Sequence, residues 1–176
     1  MNPDGGPDDL DQASLLEVFA FGSNLDPTDF NAWCMREQGL KPVMVAQFRG
    51  WLRGYSLCWD YFSPARRGGA ANICVAPDSA VAGVVFKVDK ATLAALDIKE
   101  GHPSRYRRIR VSVQSMDQGA LTRDVWTYSV TDEYRRIKPV PPTTHYLEVM
   151  LRGIEAQGLP ASWREAVVES VRTLDR

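Results

Sequence analysis

Leu16-Glu17-Val18-Phe19-Ala20-Phe21, followed at once by Gly22-Ser23-Asn24, is the stretch from which the fold is read. The first six residues are apolar and aromatic enough for a buried strand. The next three are turn formers that stop it. Asp26-Pro27-Thr28-Asp29 then opens a helix predicted to reach about Arg36, with proline and acidic residues in the first turn, where both are favourable. A glycine-containing turn between a strand and a helix N-terminus presents backbone N–H groups that hold a carboxylate or a developing oxyanion. Such turns are common, so the turn alone assigns no function. No GxxxxGK[ST] phosphate loop and no GxSxG elbow is present, so the backbone of Ser23, rather than its hydroxyl, is the part expected to matter.

Outward from this unit, residues 43–48 and 51–59 read as strands, and 63–70 as a loop. Residues 72–75 and 81–88 read as two strands joined by a turn at Pro77-Asp78. Asp89 is placed to cap a helix from about Lys90 to Ile98, which breaks at Glu100-Gly101 before Pro103. Strands follow at 106–113 and 124–130. The Pro-rich segment 138–144 leads into helices over about 144–157 and 163–174, separated by Gly158-Leu159-Pro160. Many strands with few helices predict an α+β domain of mixed sheet and flanking helices, the sheet able to curl into a small β-barrel with its closure left open. Residues 15–176 are expected to form one domain, and the Gly/Pro-rich acidic residues 1–14 a disordered tail.

Lys plus Arg number 21 and Asp plus Glu 22, a balance that argues against nucleic acid as partner. No apolar run is long enough to span a membrane and the N-terminus lacks the pattern of a signal peptide, so the expected location is cytoplasmic. Cys34, Cys58 and Cys74 are widely spaced with no CxxC pair; they are read as separate buried thiols in a reducing compartment, not as a disulfide or zinc site. His102 and His145 are the two histidines, and nothing places either beside a nucleophile or in a metal-ligand cluster.

The candidate for acid–base chemistry is Glu100, a carboxylate at a helix break followed by glycine, free to point into a cleft. Its neighbours Asp97 and Lys99 read as solvated helix residues. Tyr106, Tyr128 and Tyr146 each combine an apolar body with a hydroxyl that wants a partner. Strict alternation sets Tyr106 opposite Ile109, Val111 and Val113, so it faces a site only if it precedes the regular strand. Arg107, Arg108 and Arg110 read as a solvated strand edge. The tryptophans 33, 51, 59, 126 and 163 read as packing residues rather than an exposed patch.

In order, Val18 to Leu25 (VFAFGSNL), Gly68 to Ile73, Val81 to Val88, Leu96 to Gly101 with Tyr106, Tyr128, Pro142 to Tyr146 and Gly153 to Pro160 resemble the γ-glutamylcyclotransferase family over about residues 17–168. The ordered series carries the resemblance, not any one motif. It implies the family's small β-barrel with a cavity at one side. It implies a substrate held by Phe21, Gly22, Ser23, Asn24 and Leu25 through backbone amides, Glu100 as the catalytic acid–base, and Tyr106, Tyr128 and Tyr146 lining or closing the pocket. The implied reaction turns a γ-glutamyl amino acid or γ-glutamyl amine into 5-oxoproline and a free amine, with no cofactor and no metal. Many members carry Tyr before the GSN turn where this chain has Phe21, which removes a hydroxyl near the cradle. The leaving part of the substrate is expected to face the variable segments 59–70 and 131–143. Two alternatives stand beside this: a non-catalytic small-molecule binder on the same fold, and a cyclotransferase for a γ-glutamyl-protected natural product. The chain is expected to be a monomer or homodimer.

Overall fold

The computed structural model describes residues 15–175, so the expectation for residues 1–14 lies outside the described part. Five strands form a closed barrel in the order β1-β3-β2-β4-β5: β1 Leu16–Ala20, β2 Met44–Ser63, β3 Gly68–Val88, β4 Tyr106–Ser115 and β5 Thr122–Val130. An odd number of strands cannot alternate in direction around a closed ring, so one neighbouring pair must be parallel. That pair is β1 and β5, which meet at Val18 and Trp126. The remaining neighbours are antiparallel. Inside lie Phe19, Leu52, Val81, Val85, Val113 and Val125, all at most 1% exposed.

Four helices flank the barrel: α1 Pro27–Gln38, α2 Lys90–Glu100, α3 Thr144–Ala156 and α4 Ala161–Arg172. Each of the first three begins where a side chain caps it, Asp26 on Thr28 N and Asp29 N, Asp89 on Thr92 N, and Thr143 on Tyr146 N. The α3 face expected from the spacing of Tyr146, Val149, Met150 and Ile154 is the buried one. No helix among the described residues is long and apolar enough to cross a membrane.

Two expectations are corrected here. The segments 43–48 and 51–59 are one strand, and so are 72–75 and 81–88. The register explains the second merger. Tyr55 pairs with Val75 and Arg53 with Ala80, so residues 76–79 bulge opposite Gly54. Pro77, which has no N–H to give, sits in that unpaired bulge and the strand resumes beyond it. The hairpin also brings Cys58 and Cys74 together in a disulfide, with Cα atoms 6.2 Å apart, where separate thiols were expected. In the β2–β3 ladder Cys58 pairs with Asn72 and Cys74 with Ser56, so the two sulfurs meet diagonally across the strands, a proximity set by register and not by sequence spacing. Cys34 is the free, fully buried thiol that was expected.

Barrel closure leaves no room at Gly83. A Cβ there would collide with the Ala20 carbonyl oxygen and lie 2.6 Å from Phe19 Cζ. Both obstacles belong to β1, the strand that seals the ring. Gly83→Ala is expected to lower the unfolding free energy by about 1–3 kcal/mol through overpacking, measured by denaturant unfolding. An unchanged midpoint would show that β1 moves aside freely.

Candidate active site

The strand–turn–helix unit ends at a pocket of about 450 Å³ lined by residues of β1, the following turn, α1, β2, β3, α2, β4, β5 and α3. Phe21, Gly22, Ser23, Asn24, Glu100, Tyr106, Tyr128 and Tyr146 all contribute to its wall. Leu25 does not. It is fully buried beneath the turn, against Gly153 of α3, where a Cβ on the glycine would lie 2.7 Å from Leu25 Cβ. The turn itself is one turn of 3-10 helix, Ser23–Leu25, in which Leu25 N–H donates to Gly22 O and Asp26 N–H to Ser23 O. Asp26 fixes it from below. Its buried carboxylate caps α1 and accepts from Arg152 Nε at 2.8 Å and Nη2 at 2.7 Å.

Glu100 is the last residue of α2. Gly101 caps the helix in the left-handed conformation, with φ +69°, a geometry that glycine adopts without strain. Its N–H and that of His102 close on carbonyls of the last turn. The chain is thereby turned away and the Glu100 side chain is left aimed at the GSN turn. Asn24 Nδ2 donates to Glu100 Oε1 at 2.8 Å, joining residues 76 positions apart.

Asp97 and Lys99, expected in solvent, are both engaged in the site. Asp97 Oδ1 accepts from the Tyr128 hydroxyl at 2.8 Å and lies 3.2 Å from Arg108 Nε. Lys99 is only 9% exposed; it donates to Asn24 Oδ1 at 2.6 Å and lies 3.6 Å from Asp29 Oδ2. Helical spacing marks which residues share a face but not that the α2 face carrying 97, 99 and 100 meets the barrel rim. Sequence reading also missed Asp29 and Arg66, whose carboxylate and guanidinium pair at 2.8 Å on the pocket wall. The proline-led acidic first turn of α1 was the signal for Asp29, read there only as a favourable charge at a helix start.

The tyrosines form the opposite wall. Tyr106 lies within the regular strand as the first residue of β4, paired with Val130, yet it lines the pocket; the expectation that it would reach the site only by preceding the strand is corrected, because the face opposite Val111 and Val113 is itself the pocket side at this end. Its hydroxyl donates to Ala71 O at 3.0 Å, and Ala71 N–H donates to the Tyr146 hydroxyl at 3.1 Å. Burial raises the pKa of Tyr61, Tyr106, Tyr128 and Tyr146 above the ordinary phenol value, in Tyr128 helped by the hydrogen bond to Asp97. These hydroxyls therefore stay protonated at neutral pH and cannot serve as bases. Tyr61, Ser63, Ala65 and Arg66 bring the segment 59–70 into the wall, whereas the wall takes nothing from 131–143. Of the arginines assigned to a solvated edge, Arg107 and Arg110 are exposed and Arg108 is half-buried; Arg108 and Arg110 lie over the Trp126 ring at 5.5 and 5.0 Å.

For Asp29, burial works to raise the pKa, but the hydrogen bond from Arg66 and the charges of Lys99 and Arg66 outweigh it, and the carboxyl sits below its ordinary value. A lowered carboxylate adds stability that is present above its unfolded pKa, near 3.9, and lost as pH falls through the folded value. Asp29→Asn should therefore be less stable than the parent at pH 7, and the gap should close between about pH 5 and pH 2. Urea melts across that range check this; a gap constant with pH would mean the ion pair adds nothing.

A model of the AIG2-like family matches residues 80–166. The chain is 29% identical to the gamma-glutamylcyclotransferase of Bos taurus over 148 residues, 84% of this chain and 74% of that protein. It is likewise 29% identical to the gamma-glutamylcyclotransferase of Homo sapiens over 156 residues, 88% of this chain and 78% of that one. A solved structure of a gamma-glutamyl cyclotransferase superposes with a TM-score of 0.73 over 87% of this chain and 86% of the other; at 24% identity it speaks for the fold. Along most of its length the chain is similar to these gamma-glutamylcyclotransferases, and it shares the fold of the solved one.

Proposed function

We propose that the protein converts a γ-glutamyl amino acid or γ-glutamyl amine into 5-oxoproline and the free amine, with Glu100 as acid–base. The observation that carries this reading is the Glu100 carboxylate, held 2.8 Å from Asn24 Nδ2 across a pocket from tyrosines that stay protonated. Of the other pocket carboxylates, Asp29 is committed to Arg66 and Lys99, and the exposed Glu37 to Arg36. That leaves Glu100 as the carboxylate placed to move a proton.

The reaction is intramolecular. The substrate α-amine attacks its own γ-carbonyl carbon, forming the lactam C–N bond. Glu100 takes the proton that the attacking nitrogen loses. Collapse of the tetrahedral intermediate breaks the bond to the leaving nitrogen, which receives the same proton from Glu100. Water is neither consumed nor released. The amides of Leu25 and Asp26 are spent inside the turn, so the anionic groups of the substrate fall to those of Ser23 and Asn24. Folding a flexible γ-glutamyl chain into the attack pose is the larger contribution, since effective molarities in such reactions reach about 10⁵–10⁸ M.

The test is 5-oxoproline release from a panel of γ-glutamyl amino acids and amines. Wild type should release it, and Glu100→Gln should lose about 10²–10⁴-fold in kcat while melting like the parent. The best panel member would name the leaving group. No release from any member would overturn the reading in favour of a binder, and full turnover in Glu100→Gln would remove Glu100 from the chemistry.

A further inference from the structure

Lys99 is the buried charged group to which the mechanism above gives no task. Its ammonium lies 2.6 Å from Asn24 Oδ1, 3.6 Å from Asp29 Oδ2 and 5.3 Å from the centre of the Phe30 ring. A lysine ammonium has donors only. The amide atom of Asn24 that faces it must therefore be the oxygen, which turns the nitrogen toward Glu100 Oε1 at 2.8 Å. The reversed amide would set NH₂ against the ammonium and carbonyl oxygen against the carboxylate, two repulsive contacts in place of two hydrogen bonds. An asparagine alone has no such preference, since its two ends are nearly the same size.

Pairing with Asp29 does not account for Lys99. Arg66 already meets that carboxylate at 2.8 Å, closer than Lys99 does. Burial pulls the Lys99 pKa down against the charges of Glu100 and Asp29, so the ammonium sits here at a solvation cost.

We infer that Lys99 is a positioning residue: by donating to Asn24 Oδ1 it fixes the amide so that Nδ2 holds the Glu100 carboxylate toward the substrate. Lys99 itself lines the pocket beside Asn24, and in this role it acts through the Asn24 amide, not on the reacting atoms. The inference deepens the cyclotransferase reading and rests on it for its kinetic consequence, while the arrangement it describes is measurable without turnover.

Two substitutions separate donation from charge. Lys99→Met removes both, and Lys99→Gln keeps an amide donor without the charge. With the best γ-glutamyl substrate, Lys99→Met should lose about 10- to 100-fold in kcat with KM within threefold, the scale of a small misplacement at a reacting group. Lys99→Gln should recover most of that loss. Combined with Asn24→Ala, Lys99→Met should cost less than a further threefold, because both act through one amide. In protein labelled with ¹³C-glutamate, the Glu100 carboxyl resonance, identified by its loss in Glu100→Gln, should move in Lys99→Met and return toward the parent position in Lys99→Gln.

A Lys99→Gln that matches Lys99→Met in kcat and resonance would overturn the inference, as would fully multiplicative losses with Asn24→Ala or a Lys99→Met that keeps its kcat. If wild type turns over no panel member, the cyclotransferase reading fails, and the carboxyl resonances still decide whether Lys99 holds Glu100 in place.

Discussion

The parallel seam between β1 and β5 is the constraint on which the site depends. Ring closure by five strands demands one such pair, and the seam is reinforced where the buried Thr127 hydroxyl donates to Phe19 O at 2.9 Å. β1 is antiparallel to β3, with Leu16 beside Val88 and Ala20 beside Val84. α2 starts just beyond Val88 and spans 11 residues, about 16 Å at 1.5 Å per residue. The five residues of β1 cover about 17 Å at 3.4 Å per residue. A helix that doubles back along the β1–β3 edge thus ends where β1 ends. Glu100 meets the GSN turn because these two lengths match. The hydrogen bond between Asn24 and Glu100 is the mark of that meeting.

The charges at the meeting point are sorted by partner. Arg66 and Lys99 surround Asp29, Arg152 holds Asp26, and Arg108 sits beside Asp97. Each of these carboxylates has a cation and a structural job: wall, turn support, or anchor for the Tyr128 hydroxyl. Glu100 instead accepts from a neutral amide. A carboxylate fixed by an amide keeps its orientation, which suits the acid–base role proposed for it. The tyrosines complete this division: with their protons retained by burial, they shape the pocket, and the proposed proton transfer falls to the carboxylate.

Local punctuation was what the sequence made legible. The stop at Gly22-Ser23-Asn24, the helix opening at Asp26-Pro27, the Asp89 cap and the break at Glu100-Gly101 all appear where turn and capping chemistry put them. The α+β class followed from strand count, whereas the small barrel was implied by the family resemblance. What stayed hidden depends on register and on which face meets which. Pro77-Asp78 reads as a turn because its bulge is defined only by the partner strand. Cys58 and Cys74 read as unrelated because a separation of 16 residues says nothing of a diagonal cross-strand contact. Lys99 and Asp97 read as solvated because the α2 periodicity does not reveal that its last turn lies against the rim. Leu25 was grouped with the cradle because it adjoins it, though one more residue of 3-10 helix turns it to the opposite side, against α3.

The tyrosine wall is set from outside the pocket, which explains the segment 131–143 that contributes nothing to the lining. Arg136 N–H donates to Asp60 O, Val140 N–H to Trp59 O, and Gly69 N–H to Pro141 O, so this segment is strapped along β2 and the start of β3. Asp60 anchors it with Arg135 Nε at 2.7 Å and accepts from Asn72 Nδ2 at 2.8 Å, while Asn72 Oδ1 accepts from Val130 N–H at the end of β5. The strap ends at Thr143, which caps α3, and the first turn of α3 carries Tyr146. A Cβ at Gly69 would strike the Val140 carbonyl, so the strap is seated as closely as backbone permits. The position of the Tyr146 hydroxyl over Ala71 is therefore fixed by contacts on the far side of the sheet. One wall of the pocket is tied down through strap and strand, and the other, carrying Asn24, Lys99 and Glu100, is set by the length of a helix. The cavity lies between these two walls, which are tied to each other where the Tyr128 hydroxyl donates to Asp97 and where Arg66 pairs with Asp29.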